Sequence, residues 1–203
     1  MRVLDSKAGE IKEAANKALE DTGSLEELIG LLSDGSRRDR QQAASALALV
    51  AKENAQLLEG HSAALVDALN RPEAQTRWEV LDALTELVSV DSRSCDKAIV
   101  GAETALFDED SGPVRLSAMR FLCRLGSTTE NRSLKVWPLI DEGIQCYHGD
   151  LEFQDMLIAV LDFSSGTIAP DVKKALGDRM RFDATNGKGI LKKRASAIME
   201  NIS

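Results

Sequence analysis

Apolar residues along this chain recur at spacings of three and four rather than alternating, the pattern of helices that bury one face. With Arg115 in Val-Arg-Leu-Ser-Ala-Met-Arg-Phe-Leu-Cys-Arg-Leu as an anchor, small or apolar side chains follow at offsets 3, 6, 7 and 10: Ala118, Phe121, Leu122 and Leu125. Anchored at Arg77 the template returns Val80, Ala83, Leu84 and Leu87, and at Arg40 it returns Ala43, Ala46, Leu47 and Val50. Gln154 gives Leu157, Val160, Leu161 and then Ser164; Lys192 gives Ala195, Ile198, Met199 and Ile202. Nineteen of these twenty positions are apolar, and the anchors lie 37, 38, 39 and 38 residues apart, a regularity that unrelated helices would not share.

A further apolar-periodic segment precedes each template: Leu25–Leu32, Ala63–Leu69, Ile99–Leu106, Val136–Ile144 and Val172–Met180. Between the members of each pair falls turn chemistry, as in Asp34-Gly35-Ser36, Asn70-Arg71-Pro72, Ser111-Gly112-Pro113, His148-Gly149-Asp150 and Asn186-Gly187. The unit is therefore helix, turn, helix. Residues 8–20 place Ile11, Ala14, Ala15, Ala18 and Leu19 on one face and form an added leading helix, as the exposed end of a stack of repeats requires. The expected fold is all-α: a right-handed α-solenoid of about five two-helix repeats and about eleven helices, with no sheet. It is expected to form a single domain, 1–203, with an N-terminal cap over 1–22 and repeats over about 24–58, 60–92, 94–129, 131–166 and 169–203. Ala43, Leu47, Val80, Leu84, Ala118, Leu122, Leu157, Leu161, Ala195 and Met199 should be core.

A Val-Arg-x-x-Ala-x-x-x-Leu second helix behind a Pro-bearing turn, clearest over Gly112–Leu125, resembles the HEAT-repeat family, with armadillo repeats a near neighbour. The resemblance spans about residues 24–203. Two positions depart from it, because the fourth unit carries Gln154 for the basic anchor and Ser164 for the last apolar residue. The tetratricopeptide class fits less well, since its period is 34 and its Trp, Gly, Tyr and Pro landmarks are missing. The resemblance implies that Arg40, Arg77 and Arg115 form a structural ladder with acidic residues of neighbouring repeats, for which Asp39, Glu73 and Asp110 are candidates.

Composition agrees with helix: aromatic residues are 4% of the chain and prolines number four, while 43% hydrophobic content suffices for a sizeable core. Charge narrows the partners. Against 25 Lys+Arg stand 33 Asp+Glu, a net −8, which disfavours nucleic acid unless a basic face overrides the average. The charge is uneven, with 12 basic and 22 acidic side chains over residues 1–112 and 13 and 11 over 113–203. Cys95, Cys123 and Cys146 include no C-x-x-C pair and read as reduced thiols. The start lacks a signal-peptide apolar region and no stretch approaches the roughly 20 apolar residues of a membrane span, so a cytoplasmic protein without membrane attachment is expected.

Catalytic and cofactor patterns are missing from the sequence. Neither glycine-rich phosphate loop nor nucleophile elbow occurs, and Thr185-Asn186-Gly187-Lys188-Gly189 reads as an inter-helix turn. His148 beside Cys146 lacks a third and fourth metal ligand nearby, and Asp108-Glu109-Asp110 reads as a solvated acidic turn. No cofactor, metal or catalytic residue is expected.

The expected function is that of a non-enzymatic scaffold binding a protein or peptide on the concave face of the solenoid. Offsets 1, 5 and 8 of the second helices should line that face: Trp78, Asp82 and Thr85, then Leu116, Arg120 and Cys123, then Asp155, Ala159 and Asp162. Trp78, Asp82, Leu116, Arg120 and Asp155 are the candidate binding residues, with Trp78 and Leu116 as an apolar strip. An alternative implied by the resemblance is a HEAT-like DNA glycosylase, or another nucleic-acid-binding protein, using Trp78, Asp82 and Arg120, though the −10 of residues 1–112 opposes a duplex. A third reading gives the basic carboxy-terminal segment, including Lys173, Lys174, Lys188, Lys192 and Lys193, to an acidic ligand.

Overall fold

The computed structural model describes residues 2–203, with side chains from residue 8 onward, and the described residues form eleven α-helices and two short 3-10 turns without a strand. In order these are α1 (Arg2–Glu20), α2 (Thr22–Asp34), α3 (Arg37–Asn54), α4 (Ser62–Ala68), α5 (Ala74–Cys95), α6 (Ile99–Leu106), α7 (Gly112–Gly126), α8 (Glu130–Cys146), α9 (Phe153–Ser164), α10 (Pro170–Asn186) and α11 (Gly189–Asn201). Each apolar-periodic segment of the sequence lies in one of these helices, except that Leu69 and Ile202 are the cap residues just after α4 and α11.

The boundaries follow from local chemistry. Asp21 accepts the Ser24 N–H at the start of α2, and Ser36 and Asp39 close a reciprocal capping box on α3. Ser111 caps α7 with Pro113 in its first turn, where the missing N–H costs nothing, and Pro170 opens α10 in the same way. The turn between α8 and α9 relies on Gly149, whose φ of 95° is strained for any other L residue. In α5 the chain breaks helical geometry at Asp91 (φ −137°, ψ 69°), whose carboxylate then accepts the Ser94 N–H and restarts the helix.

Internal packing groups the chain into two compact units, Met1–Gly101 and Ala102–Ser203. Within the first, α1, α3 and α5 pack side by side in succession, and α2 and α4 pack together behind them. Within the second, α7, α9 and α11 form the same kind of row, backed by α8 and α10. Second helices stacked on second helices, and first on first, is the packing that a repeat solenoid requires.

The template positions carry both cores. Ala43, Leu47, Val80, Leu84, Ala118, Leu122, Leu157 and Ala195 are buried, whereas Leu161 and Met199 are half-buried. Fully burying a leucine such as Leu84 contributes about 1.5–3 kcal/mol over leaving it exposed, so the repeat period is held mainly by this stripe. The irregular Ser164 is also buried; its hydroxyl donates to the Leu161 carbonyl and accepts the Asn201 side-chain N–H at 2.8 Å, so a hydrogen bond replaces the apolar contact of the other repeats.

The arginine anchors clamp turns to neighbouring helices. Arg40 donates to both carboxylate oxygens of Glu73, the residue before α5, and to the Gly35 carbonyl of its own turn. Those bonds hold Glu73 below the usual carboxylate range. Arg115 repeats the arrangement with Glu152, the residue before α9, and with the Asp108 carbonyl. Its partner is thus the acid one repeat ahead and not the adjacent Asp110, because a fork-shaped guanidinium leaving the first turn of a second helix reaches the start of the next one in the row. At Gln154, where the repeat lacks its basic anchor, Arg194 of α11 donates to the Gln154 carbonyl and side-chain oxygen instead.

Candidate functional site

In the first unit the candidate residues lie on α5 against α3. Trp78 is half-buried and Asp82 one turn on is half-buried too, so neither is sealed in the core. Between the two helices sits Glu79, which the spacing argument did not single out. Its carboxylate accepts the Ser45 hydroxyl at 2.8 Å, and Ser45 accepts the Gln75 side-chain N–H at 3.1 Å. Burial pushes the Glu79 carboxyl above its ordinary range and the charge of Asp82 adds to the effect, while the bond from Ser45 opposes it. A desolvated carboxylate beside an indole and a second carboxylate gains by pairing with a cation.

In the second unit Leu116 and Arg120 sit one turn apart on α7, the first half-buried and the second exposed, with Asp155 exposed on the adjoining α9. Two other positions of that face behave differently from the expectation: Cys123 and Ala159 are buried in the α7–α9 seam. Adjacent second helices approach closely enough for small side chains at offsets 5 and 8 to be covered. Burial and the charge of Asp162 push the Cys123 thiol far up, leaving it inert, whereas Cys146 is exposed. What the surface keeps accessible here is Arg120, Asp155, Asp162 and an exposed Ile158, a patch of both charges around one aliphatic side chain.

The residues named for the glycosylase alternative are divided, Trp78 and Asp82 in the first unit and Arg120 in the second. His148, considered as a metal ligand, instead shares its Nε2 with both oxygens of the buried Asp183 carboxylate at 3.1 and 3.2 Å and packs on Phe153. Among the described residues no three His, Cys, Asp or Glu side chains converge as a metal site would need, and no helix is long and apolar enough to cross a membrane. Lys192 donates to the Thr185 carbonyl, so this part of the basic carboxy-terminal segment closes its own turn.

Two rows of stacked helices, with arginines bridging successive repeats, define the α-solenoid class of HEAT and armadillo type. Solved structures agree. The chain superposes on a designed armadillo repeat protein in complex with the peptide (KR)4 with TM-score 0.78 and 19% identity, over 98% of this chain and 93% of that one. It superposes on armadillo repeat proteins computationally designed for modular peptide recognition with TM-score 0.71 and 15% identity, over 97% and 93%. A HEAT-like repeat protein from Thermococcus onnurineus NA1 matches with TM-score 0.55 and 18% identity, over 95% and 94%. No family model matches the chain, and no curated protein matches it in sequence.

Proposed function

We propose that this protein is a non-enzymatic scaffold whose α3–α5 face binds a peptide segment bearing lysine or arginine. The observation that carries the reading is the half-buried Trp78 set against the desolvated Glu79 carboxylate, with Asp82 one turn along. A guanidinium or ammonium over the indole would gain a cation–π contact of about 0.5–2 kcal/mol and would supply Glu79 with the counter-charge that it lacks. The net charge of −8 favours the approach of such a segment. Support by analogy of fold comes from the designed armadillo protein in complex with (KR)4. Leu116, Arg120 and Asp155 on α7 and α9 would form a candidate surface of the second unit by itself, offering one aliphatic side chain and charges of both signs.

Calorimetric titration with an extended Lys/Arg peptide, and with an Asp/Glu peptide of equal length, tests the reading. The basic peptide should bind with an affinity that falls as salt rises, and the acidic one should not bind. Trp78→Ala and Asp82→Asn should each weaken binding about tenfold or more while the helical circular dichroism signal is kept. Folded variants that bind as tightly as the parent would remove the α3–α5 face from consideration.

A further inference from the structure

A second cleft, apart from the Trp78 face, opens among α1, α2 and α3 with a volume of about 350 Å³. Ligand pockets start at about 300 Å³, so it has room for a few side chains and no more. Its wall is apolar, made by Ile11 and Ala14 of α1 and by Leu28 and Leu31 of α2, of which Ile11, Ala14 and Leu31 remain partly open to solvent. The rim is acidic: Glu10, Glu13, Glu27 and Asp39 surround it, with Lys17 the only basic side chain among the lining residues. That cation sits 3.5 Å from Glu13, and Asp39 is engaged with Ser36 in the α3 capping box, which leaves the charges of Glu10 and Glu27 facing outward over the apolar wall.

The lining residues have a register. On α1 they fall at 10, 11, 13, 14 and 17 and on α2 at 24, 27, 28 and 31, so each helix contributes a stripe of i, i+3, i+4, i+7, with Ile11 beside it on α1. Two such stripes form a groove two turns long, about 10 Å at 1.5 Å per residue, which matches one apolar face of a short helix. An extended strand would place alternate side chains away from the groove, whereas a helix presents its own i, i+3, i+4, i+7 set to it. Acid on both banks selects the flanks of that helix.

We infer that this cleft is a docking site for a basic amphipathic helix of a partner protein, with aliphatic side chains on the Ile11–Leu31 wall and lysines or arginines against Glu10 and Glu27. The site is separate from the α3–α5 face and holds whether or not that face binds a peptide.

Fluorescence anisotropy with a labelled Leu/Lys amphipathic helix of about 14 residues tests it, beside a scrambled peptide of the same composition whose apolar stripe is broken. The intact helix should bind about tenfold or more tightly than the scrambled one. Two kinds of variant address the cleft. Glu10→Lys/Glu27→Lys changes only exposed positions, and Ala14→Trp fills the space; each should lower affinity about tenfold or more, with an unchanged melting temperature required of the first. Trp78→Ala should leave this binding as it is, which distinguishes failure here from failure at the other face. Equal binding of the scrambled peptide, or parent-like affinity in the Glu10→Lys/Glu27→Lys protein, overturns the inference. Sedimentation showing a dimer that Glu27→Lys dissociates would assign the cleft to a second copy of the chain and overturn it as well.

Discussion

Replacing Arg115 by Met removes a guanidinium that touches three residues of the second unit at once, Glu152, Asp108 and Tyr147. Its Nε donates to Glu152 at 2.7 Å, a terminal nitrogen reaches the same carboxylate, another donates to the Asp108 carbonyl at 2.9 Å, and the group lies 5.0 Å above the Tyr147 ring. The side chains of Arg115 and Glu152 are 15% and 14% exposed, so the substitution leaves a largely covered carboxylate without its counter-charge. Breaking a fully buried pair costs about 3–5 kcal/mol, and the residual exposure places this one at the lower end, about 3 kcal/mol. For a chain of this length that corresponds to a fall in melting temperature of about 6–12 °C. The double variant Arg115→Met/Glu152→Gln should recover part of the loss, because the stranded charge is gone, giving a coupling energy of about 1.5 kcal/mol or more. Arg115→Lys should recover little, since an ammonium cannot span both the carboxylate and the turn carbonyl. Thermal and urea unfolding followed at the helical band measure the parent, these three variants and the single variant Glu152→Gln that completes the cycle, and hydrogen exchange should show added opening at the turn before α7 and the first turn of α9. A coupling energy under about 0.5 kcal/mol would refute the claim that the arginine clamp holds successive repeats together.

Two other outcomes follow from named contacts. A Cβ on Gly126 would lie 2.4 Å from Val136 and 2.9 Å from Phe163, both buried, so Gly126→Ala should destabilise the protein by about 1–3 kcal/mol in urea unfolding despite the better helix propensity of alanine. The raised carboxyl of Glu79 means that the native state holds this proton more tightly than the unfolded chain does; its contribution to stability is therefore full below the ordinary carboxylate value, falls as pH rises from that value to the raised one, and is flat beyond it. Glu79→Gln should remove that decline and be as stable as the parent or more so at neutral pH, yet it should bind a Lys/Arg peptide less well; a parent-like pH profile of stability contradicts the desolvation argument.

The repeat was legible because its signal is redundant. Five copies of one apolar stripe at a near-constant interval report the stack even where one copy fails, as at Ser164, and the structure shows that a buried hydroxyl paired with Asn201 can occupy that slot without shifting the register. Arg40 and Arg115 were legible for the same reason, although their partners were harder to find: the acid that matters stands one repeat away in sequence, and only the packed row of helices brings Glu152 rather than Asp110 to Arg115. The binding surface has no such redundancy. Offsets 5 and 8 were assigned by angle around one helix, but whether a position faces solvent depends on how closely the next helix approaches and on side-chain length. Cys123 and Ala159 are therefore covered, while Arg120 and Asp162 reach out from the same faces. Glu79 was invisible for a related reason. A glutamate next to a tryptophan on a polar helix face looks like any solvated acid, and what sets it apart is that Ser45, donated by a helix 34 positions earlier, closes over it. Desolvation is a property of the seam between two helices and not of either sequence segment. The same holds for the acidic cleft, whose stripes on α1 and α2 look individually like the outer faces of two charged helices and become a groove only when α3 supplies Asp39 and Ala43 at its end. In a solenoid, then, sequence period specifies which faces are buried between repeats, and the chemistry on offer to a partner is decided at the seams that this burial creates.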